Sequence, residues 1–515
     1  MICREWPIPS VKPARLGLYG LLAGTLLSTT LATASPQTER LSESGAKGDR
    51  AAIKSLVDLA RKKDSDAEYA LGLLAYEGQG LARNLKQAYR LFERAAGRGH
   101  AEAQNTLGYF YQHGVGTGKS PEQALAWYKR GAEGGSARAR LNLGWFYEQG
   151  IVVDKDPGMA AEWYGIAADQ GLTAAQLNLA NLYENGIGVA RNPQKAIELY
   201  EKVATAGVSS ASLPLARLLE AKGDLAGAAR NYLPSASGND LEAQFAAGRL
   251  MIAPNNPSRN IEEGVRWLER AAFRRHLGAT LLLANLYLEG KDVPRNTVQA
   301  ADYFQRGAAL GDFMSAFQFA DLQESAGKTS SGESLVPWYL QAAEKGHRES
   351  QFRLAKLLQE GKQAELAREV SDWYRKAAEQ GHVESQFRLA QLLQDGGKAE
   401  SMPEAVTWYR KAAEGKHPKA FLPLAIALES GQGAAAPAEA ARWYQEAAKA
   451  DDPEALFRLG NLYDRGLGVT SNSRQALDYY AKAAKLGHAG ATKVIESLIN
   501  LPPPDPFQRD PFRSR

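Results

Sequence analysis

The segment Gly114-Val115-Gly116-Thr117-Gly118-Lys119-Ser120 contains the residue types of a phosphate-binding loop. In such a loop, backbone N–H groups hold phosphates between a strand and a helix, and the pattern needs a further glycine at position 113. His113 occupies that position, and the residues on both sides have helical periodicity. We therefore interpret the segment as a turn between two helices, and no cofactor is predicted.

Six of the seven histidines share one position in a repeated pattern, just after a helix: His100, His276, His347, His382, His417 and His488. Residues a full repeat apart do not converge on one metal ion, so no metal ligands are predicted. We expect these histidines to lie at helix C-termini, where a partial positive charge suits the helix dipole.

The chain offers no other recognisable reactive group. Its single cysteine, Cys3, lies near the N-terminus, which excludes disulfides, thiolate metal sites and a cysteine nucleophile from the rest of the chain. No Ser/His/Asp arrangement is recognisable, and the carboxylates form no pair suited to acid and base catalysis. The sequence therefore predicts no catalytic residues and a protein that is not an enzyme.

The elements follow from an aromatic pair that returns about every 36 residues. Its strict forms are Trp127-Tyr128, Trp163-Tyr164, Trp338-Tyr339, Trp373-Tyr374, Trp408-Tyr409 and Trp443-Tyr444. Its looser forms are Leu91-Phe92, Leu199-Tyr200, Asn231-Tyr232, Trp267-Leu268, Tyr303-Phe304 and Tyr479-Tyr480. A fixed period of this length indicates an array of stacked units, and such arrays offer long binding surfaces.

Residues 174–207 show how one unit is built. Apolar residues at helical spacing predict a first helix, which ends at Gly186-Ile187-Gly188-Val189 because glycine tolerates a left-handed backbone. Asn192-Pro193 then provides a cap and a first turn for a second helix. Alanines precede and follow each aromatic pair, so we expect close helix packing with the Trp-Tyr pairs in the core between repeats.

The repeat resembles the Sel-one-like repeat (SLR) family, a tetratricopeptide-related family. The resemblance rests on copies such as Leu143-Gly144-Trp145-Phe146-Tyr147 and Leu459-Gly460-Asn461-Leu462-Tyr463, and covers about residues 65–488. It implies an all-α fold, a right-handed α/α solenoid superhelix of about twelve helix-turn-helix repeats. It also implies a role as an adaptor for protein assembly, at the cell envelope in secreted bacterial members.

The ends of the chain differ from the repeats. Arg4, Lys12 and Arg15 precede an apolar run at 16–32 and the small-residue site Ala32-Thr33-Ala34, a pattern typical of a signal peptide. We expect cleavage after Ala34 and a periplasmic or secreted protein; an uncleaved N-terminal anchor is the alternative. No later segment is apolar for the length of a membrane span.

These patterns divide the chain into seven segments. They are a signal peptide at 1–34, a polar leader and N-terminal cap at 35–64, a first block of repeats at 65–207, irregular repeats and a candidate hinge at 208–260, a second block of repeats at 261–488, a capping helix at 489–500 and a proline-rich disordered tail at 501–515.

A stripe of variable, mostly polar residues is the candidate partner-binding groove. Its members lie two residues before or one residue after the Gly/Ala of each first helix, so they share a helix face. We name it the first-helix stripe: Tyr109, Asn142, Trp145, Asn178, Asn181, Asn285, Arg353, Lys356, Arg388, Gln391, Arg458 and Asn461. Its second half is rich in arginine, which favours an acidic protein segment or an anionic glycan. A solvated polar face is the alternative.

The function predicted from these observations is a protein-protein interaction scaffold in the bacterial envelope, similar to the repeat adaptors of exopolysaccharide secretion. One alternative is a periplasmic immunity protein that neutralises a secreted toxin, and another is a hydrolase. The chain has 62 basic and 58 acidic residues, a formal net charge of only +4. Nucleic acid is not expected as a partner, because nucleic-acid-binding domains carry a basic patch or stripe.

Overall fold

The computed structural model describes residues 35–327, 334–361, 367–431 and 436–499. Across these ranges the chain forms 27 α-helices, and no residue is in a strand. The predicted all-α solenoid of paired helices is therefore confirmed. The predicted signal peptide at 1–34 and the predicted tail at 501–515 lie outside the described residues.

The chain divides into two units, residues 1–270 and 271–515, and the division falls within α14. The helices that begin in the first unit are α1 Pro36–Ala46, α2 Arg50–Arg61, α3 Ser65–Glu77, α4 Leu85–Gly97, α5 Ala101–His113, α6 Pro121–Glu133, α7 Ala137–Gln149, α8 Pro157–Asp169, α9 Thr173–Asn185, α10 Pro193–Thr205, α11 Ser212–Lys222, α12 Leu225–Ser237, α13 Leu241–Ile252 and α14 Ile261–Phe273.

The helices of the second unit follow the same alternation. They are α15 Leu277–Glu289, α16 Thr297–Ala309, α17 Phe313–Ser325, α18 Val336–Glu344, α19 Arg348–Glu360, α20 Ala367–Glu379, α21 Val383–Asp395, α22 Met402–Glu414, α23 Phe421–Glu429, α24 Pro437–Ala448, α25 Pro453–Arg465, α26 Ser473–Lys485 and α27 Ala489–Ile499. Odd-numbered helices are the first helices of the repeats, and even-numbered helices are the second helices.

The predicted turn and cap residues define a single repeat. Helix α9 ends at Gly186, whose φ of 68° is left-handed, and α10 begins with Pro193 after the cap Asn192. The Asn192 side chain accepts a hydrogen bond from the backbone N–H of Lys195 at 3.0 Å, which satisfies one of the unpaired groups of a helix start. The segment at 114–120 is likewise the turn between α5 and α6, capped by Gly114 and Ser120.

In several repeats the first helix accepts an aromatic ring of its own second helix at a glycine. A Cβ placed on Gly108 would lie 2.5 Å from the Tyr128 ring, and one on Gly144 would lie 2.8 Å from the Tyr164 ring. No real side chain fits at such distances, so the glycine and the ring form one complementary contact. This contact fixes how closely the two helices of a repeat approach.

The prediction that both members of each Trp-Tyr pair lie in the core is wrong for four of the six tryptophans, while Trp408 and Trp443 are buried as predicted. Tyr128, Tyr164, Tyr339 and Tyr374 are fully buried, whereas Trp127, Trp163, Trp338 and Trp373 are half-buried. Neighbouring residues of a helix point about 100° apart, so the tryptophan and the tyrosine of a pair need not be buried equally. The exposed ring faces contact cations: Arg130 lies 4.7 Å from the Trp127 ring and Lys376 lies 3.8 Å from the Trp373 ring.

The start of the described chain also differs from expectation. Residues 35–50 were predicted to be a polar leader, yet they form α1 and the start of α2. Ser42 and Thr38 are buried, and α1 packs against both α2 and α3. The polar composition concealed this helix because its buried face is made of small polar residues and Gly45 instead of large apolar ones.

The irregular repeat near residue 220 is short because its turn is short. Helix α11 ends at Lys222, Gly223 adopts φ 90°, and Asp224 caps α12 at once. The missing residues are thus those of the Gly-x-Gly turn, while both helices are kept. A hinge at 208–260 stays a prediction.

Candidate functional site

The first-helix stripe is a surface of half-exposed side chains. Two of its members, Asn181 and Asn285, are exposed, and the other ten are half-buried. The flanking apolar residues of the same helices, such as Leu143 and Leu354, are buried. The sequence pattern therefore separated the core side of each first helix from its accessible side.

In the first unit, a pair of amides connects two successive first helices, while the stripe rings contact rings of their own helices. The Asn142 side chain of α7 donates a hydrogen bond at 2.9 Å to the side-chain oxygen of Asn105 in α5. The Tyr109 ring lies 4.3 Å from the ring of His113 on its own helix, and the Trp145 ring meets the Phe146 ring edge-on. This part of the stripe offers aromatic surface beside amide groups.

Other asparagines of the stripe are bonded within their own repeat. Asn285 donates to the carbonyl of Leu281 at 2.9 Å, and Asn461 accepts the Tyr480 hydroxyl at 2.8 Å. The Asn181 carbonyl accepts the side chain of Asn185. These groups retain only part of their hydrogen-bonding capacity for a partner.

A row of tyrosine hydroxyls runs beside the stripe, and the sequence analysis did not predict it. Each buried tyrosine of an aromatic pair donates to a carboxylate or amide near the end of its own first helix. The pairs are Tyr128–Gln112, Tyr164–Glu148, Tyr200–Glu184, Tyr232–Glu220, Tyr339–Glu324, Tyr374–Gln359, Tyr409–Gln394 and Tyr444–Glu429. Burial raises the pKa of Tyr374 to about 12, so the hydroxyl remains a donor. A glutamate or glutamine about fifteen residues before each tyrosine is the sequence signal of this row.

The arginines of the stripe are neutralised more than the sequence suggested. Arg353 donates to Glu324 of the preceding first helix and to Glu349 of its own helix, both at 2.8 Å. Arg458 contacts Glu429 at 3.0 Å and Glu454 in the same arrangement. The expectation of a basic groove along the second half is therefore wrong at these two positions, since two carboxylates surround each guanidinium.

Arg388 and Lys356 differ from those arginines. Arg388 Nε contacts Glu384 of its own helix at 2.7 Å, and the residue opposite it on the preceding first helix is Gln359 instead of a glutamate. Lys356 Nζ lies 3.8 Å from Glu360. Together with Phe352 and Tyr374, these residues line a cleft of about 350 Å³. The remaining stripe member of this region, Gln391, is half-buried one turn further along α21.

The repeated histidines lie at helix N-termini, which corrects the prediction that they sit at C-termini. His100 Nδ1 accepts the backbone N–H of Ala103 at 3.0 Å, and His382 Nδ1 accepts that of Ser385 at 3.1 Å. The sequence position after one helix is also the position before the next. The sequence pattern alone therefore did not show which of the two helix ends the histidine caps. An accepting Nδ1 means a neutral ring with its proton on Nε2.

The same histidines connect consecutive first helices. Nε2 of His417 donates to Glu384 at 2.7 Å and Nε2 of His488 donates to Glu454 at 2.9 Å. Hydrogen bonds from His382 and Arg353 lower the pKa of Glu349 to about 2. Five of these rings, those of His100, His347, His382, His417 and His488, also lie against an aromatic ring of the preceding repeat, as His417 does on Phe387 at 4.4 Å. These residues are structural links.

Over residues 35–327, 334–361, 367–431 and 436–499, no three His, Cys, Asp or Glu side chains form a group that could hold a metal ion. Within the same part of the chain, no helix has the length and apolar character needed to cross a bilayer.

The repeats match a known family model, described as the Sel1 repeat. The matched segments are 65–100, 101–136, 137–172, 173–208, 241–272, 278–312, 338–347, 348–382, 383–417, 424–452 and 453–488. No curated protein matches the chain.

Several solved structures are similar to this chain. The protective antigen c5321 of uropathogenic Escherichia coli, which has an SLR fold, is 27% identical over 87% of this chain and 90% of its own, with a TM-score of 0.34. A Sel1 repeat protein from Oxalobacter formigenes is 22% identical over 53% and 98%, with a TM-score of 0.33. The immunity protein Pa5087 from Pseudomonas aeruginosa is 19% identical over 48% and 81%, with a TM-score of 0.26.

Proposed function

The chain belongs to the Sel1 repeat family, and we propose that it is a non-enzymatic scaffold that binds other proteins along the first-helix stripe. Proteins of this family generally act as scaffolds for protein-protein interactions. The observation that carries the proposal is the repetition of one helix face from repeat to repeat, with half-exposed polar and aromatic side chains at equivalent positions. A surface of this kind suits an extended partner, because a repeat array presents equivalent sites in a row.

The composition of the stripe supports a protein partner. Tyr109 and Trp145 combine an apolar ring with a polar group, the side-chain type that is enriched where proteins bind each other. The amides of Asn142 and Asn178 lie on the same face of neighbouring first helices, where they can bond to the backbone of a bound segment.

Site-specific photo-crosslinking tests the proposal. A photoreactive amino acid at Asn142 or Asn178 should capture one defined protein in the native host, and the purified partner should then bind the full chain. The control positions Lys129 and Glu198, exposed on second helices, should capture little of it. Equal capture from both faces would show that the stripe is not the binding surface. A secreted toxin as the partner would favour the immunity alternative.

We propose that this scaffold works in the bacterial envelope. Support comes from the basic residues, apolar run and Ala32-Thr33-Ala34 site within residues 1–34, the pattern of an exported protein. Mass spectrometry of the protein from the periplasmic fraction should find Ser35 as the first residue. A membrane-bound protein that retains residues 1–34 would favour the uncleaved anchor, and a cytoplasmic location would contradict the proposal.

The hydrolase alternative is tested by a separate experiment. The purified full chain should not hydrolyse a panel of ester, amide, glycoside and phosphoester substrates. Turnover that survives repeated purification and is lost with a single substitution would overturn the non-enzymatic assignment.

A further inference from the structure

A repeated rule connects the tyrosine row to the next first helix of the second unit. Where the tyrosine bonds a glutamate, that same carboxylate also accepts an arginine located 29 residues later, as in Tyr339–Glu324–Arg353 and Tyr444–Glu429–Arg458. The arginine charge is thus compensated across the junction of two repeats. We call each such triplet a Tyr–Glu–Arg rung.

One rung of this series is broken. The equivalent residues are Tyr374, Gln359 and Arg388, and the Gln359 side-chain oxygen accepts the tyrosine hydroxyl at 2.9 Å. A neutral amide cannot neutralise Arg388, which bonds only through Nε to Glu384 among the described residues. Accordingly, 43% of the Arg388 side chain is exposed, compared with 29% for Arg353.

The next repeat shows that the mismatch is specific to Arg388. Gln394 takes the glutamate position there and accepts the Tyr409 hydroxyl at 2.6 Å. The residue at the arginine position, however, is Pro423. Glutamine thus faces an arginine at only one junction among those described in the second unit, and the cleft of about 350 Å³ lies at that junction.

The cleft at the broken rung presents donors. Among the described residues, the Arg388 Nη groups bond no acceptor, and the Lys356 ammonium lies 3.8 Å from its nearest carboxylate, beyond hydrogen-bond distance. Gln359 uses its oxygen for Tyr374, so its amide NH₂ remains to donate. A guanidinium, an ammonium and an amide NH₂ around one opening form a binding site for a carboxylate.

We propose that this cleft binds the side-chain carboxylate of one aspartate or glutamate in an extended acidic segment of a partner protein. The inference rests on the proposed function as a protein scaffold and names the chemistry of its partner. The bound carboxylate takes the place that Glu324 and Glu429 occupy at the complete rungs. The partner therefore supplies the acidic group that this junction lacks.

The charges of the cleft favour a peptide over a polyanionic glycan. Glu360 and Glu384 line the same cleft as Lys356 and Arg388, so the four charges sum to about zero. One carboxylate between the cations is attracted, whereas a chain with a carboxylate on every sugar also meets the two glutamates. Phe352 provides an apolar wall for the methylene groups of an acidic side chain.

A substitution that repairs the rung tests the proposal without removing any contact. In Gln359→Glu, the new carboxylate should bond both Tyr374 and Arg388, as Glu324 bonds Tyr339 and Arg353. It should thereby fill the position that the partner's carboxylate would take. The probe is a labelled Gly/Ser peptide with spaced glutamates, and its glutamine counterpart is the reference. By fluorescence anisotropy, the full chain should bind the glutamate peptide about tenfold more tightly, and Gln359→Glu should remove that preference.

Gln394→Glu is the matched control, because it adds the same charge one repeat later, opposite Pro423. It should leave the preference intact, while Lys356→Gln should weaken binding of the glutamate peptide several-fold. If Gln359→Glu and Gln394→Glu lose the preference for the glutamate peptide equally, the effect is general charge repulsion and the proposal is overturned. A lowered melting temperature of Gln359→Glu would contradict the rung itself.

The remaining outcomes separate a failure of the proposed cleft from a failure of the proposed scaffold function. If neither peptide binds, or both bind equally, the carboxylate cleft is wrong, while the scaffold function is still decided by crosslinking at Asn142 and Asn178. Preferential binding of an oligouronate that is sensitive to Gln359→Glu would replace the acidic peptide with a glycan. Loss of crosslinking at the stripe together with retained peptide binding would contradict the scaffold and keep the cleft.

Discussion

Single side chains hold neighbouring repeats together by hydrogen-bonding to a group of the preceding helix. Gln104 is buried and donates to the carbonyl of Ala96 at the end of the preceding helix, and Gln351 does the same for Ala343. Each of these carbonyls also accepts a backbone N–H, that of Gly99 for Ala96 and that of Gly346 for Ala343, so the glutamine adds a second hydrogen bond at the helix end. Each junction is thus closed by a few specific hydrogen bonds as well as by apolar packing.

Arg353→Gln should destabilise the second unit by about 1–2 kcal/mol, because the Glu324 and Glu349 carboxylates lose their shared guanidinium in a partly buried setting. Chemical denaturation followed by tryptophan fluorescence measures this loss. Arg306→Gln is the control, since Arg306 is about half exposed and contacts Asp302 on its own helix; it should cost less than about 0.5 kcal/mol. Equal costs would show that the rung contributes no more than a surface pair.

The capping histidine His100 makes stability dependent on pH. Burial lowers the pKa of His100 below its ordinary value of 6.5, against the opposing effect of Asp66. The unfolded chain then binds a proton more readily than the folded chain, so this stability is complete above pH 6.5 and is lost as the pH falls from that value through the lower pKa of the folded state. His100→Asn keeps a capping acceptor and does not titrate.

Melting curves at about pH 7.5 and about pH 5.5 check this expectation, because they bracket the ordinary histidine pKa. The wild-type protein should lose more thermal stability than His100→Asn between the two conditions. A larger loss in the variant, or identical losses, would show that His100 is not held in its neutral form by the fold.

The helix pair is held in register by the contact between a small residue and a ring. Gly108 and Tyr128 in one repeat, and Gly460 and Tyr480 in another, bring a first helix close to its second helix. The first helix gives up a side chain, which costs conformational entropy in its middle. The buried ring offsets that cost through its contacts.

Gly108→Ala should therefore destabilise the protein by about 1–3 kcal/mol, because its new methyl group would displace the Tyr128 ring. Gly165→Ala is the matched control, since nothing lies within 4 Å of a Cβ at that position in α8. It should be neutral or stabilise by up to about 1 kcal/mol through higher helix propensity. Urea unfolding compares the two, and a neutral Gly108→Ala would contradict the predicted fit.

Sequence periodicity predicted the helices because each carries its own signals in local order: apolar spacing, Asn192 and Pro193 at a start, Gly186 at an end. It predicted the side of each helix that stays accessible for the same reason. It did not predict that Gln359 faces Arg388, because that contact joins residues 29 apart and depends on how repeats stack. Helix α1 was not predicted from the sequence because small polar residues such as Ser42 form its buried face.

At the scale of the whole molecule, the repeats within each unit contact mainly the helices before and after them in sequence. Stability in such an array is a sum over repeats and their junctions, so damage stays local. The last described helix, α27, closes the second unit: Ala491 is buried against Leu456 and Ala483.

Ala491→Asp should therefore loosen the end of the array alone, because a charge would be buried without a partner. Hydrogen exchange should become faster in α25, α26 and α27 and remain unchanged in α3 to α10. Lys493→Asp, at an exposed position of the same helix, should have little effect. Faster exchange throughout the first unit would contradict the nearest-neighbour description.

The histidine cap carries a consequence for how such a chain changes its length. His347 lies before α19 and His382 before α21; each caps the helix that follows it and lies against a phenylalanine ring of the preceding repeat. Removing 348–382 would place His347 directly before Val383, with the cap, the ring contact and the glutamine link all rebuilt from matching residues. Genes for this architecture can therefore gain or lose whole repeats by recombination. The encoded chain then changes length by one repeat at a time, and each new junction keeps matching contacts.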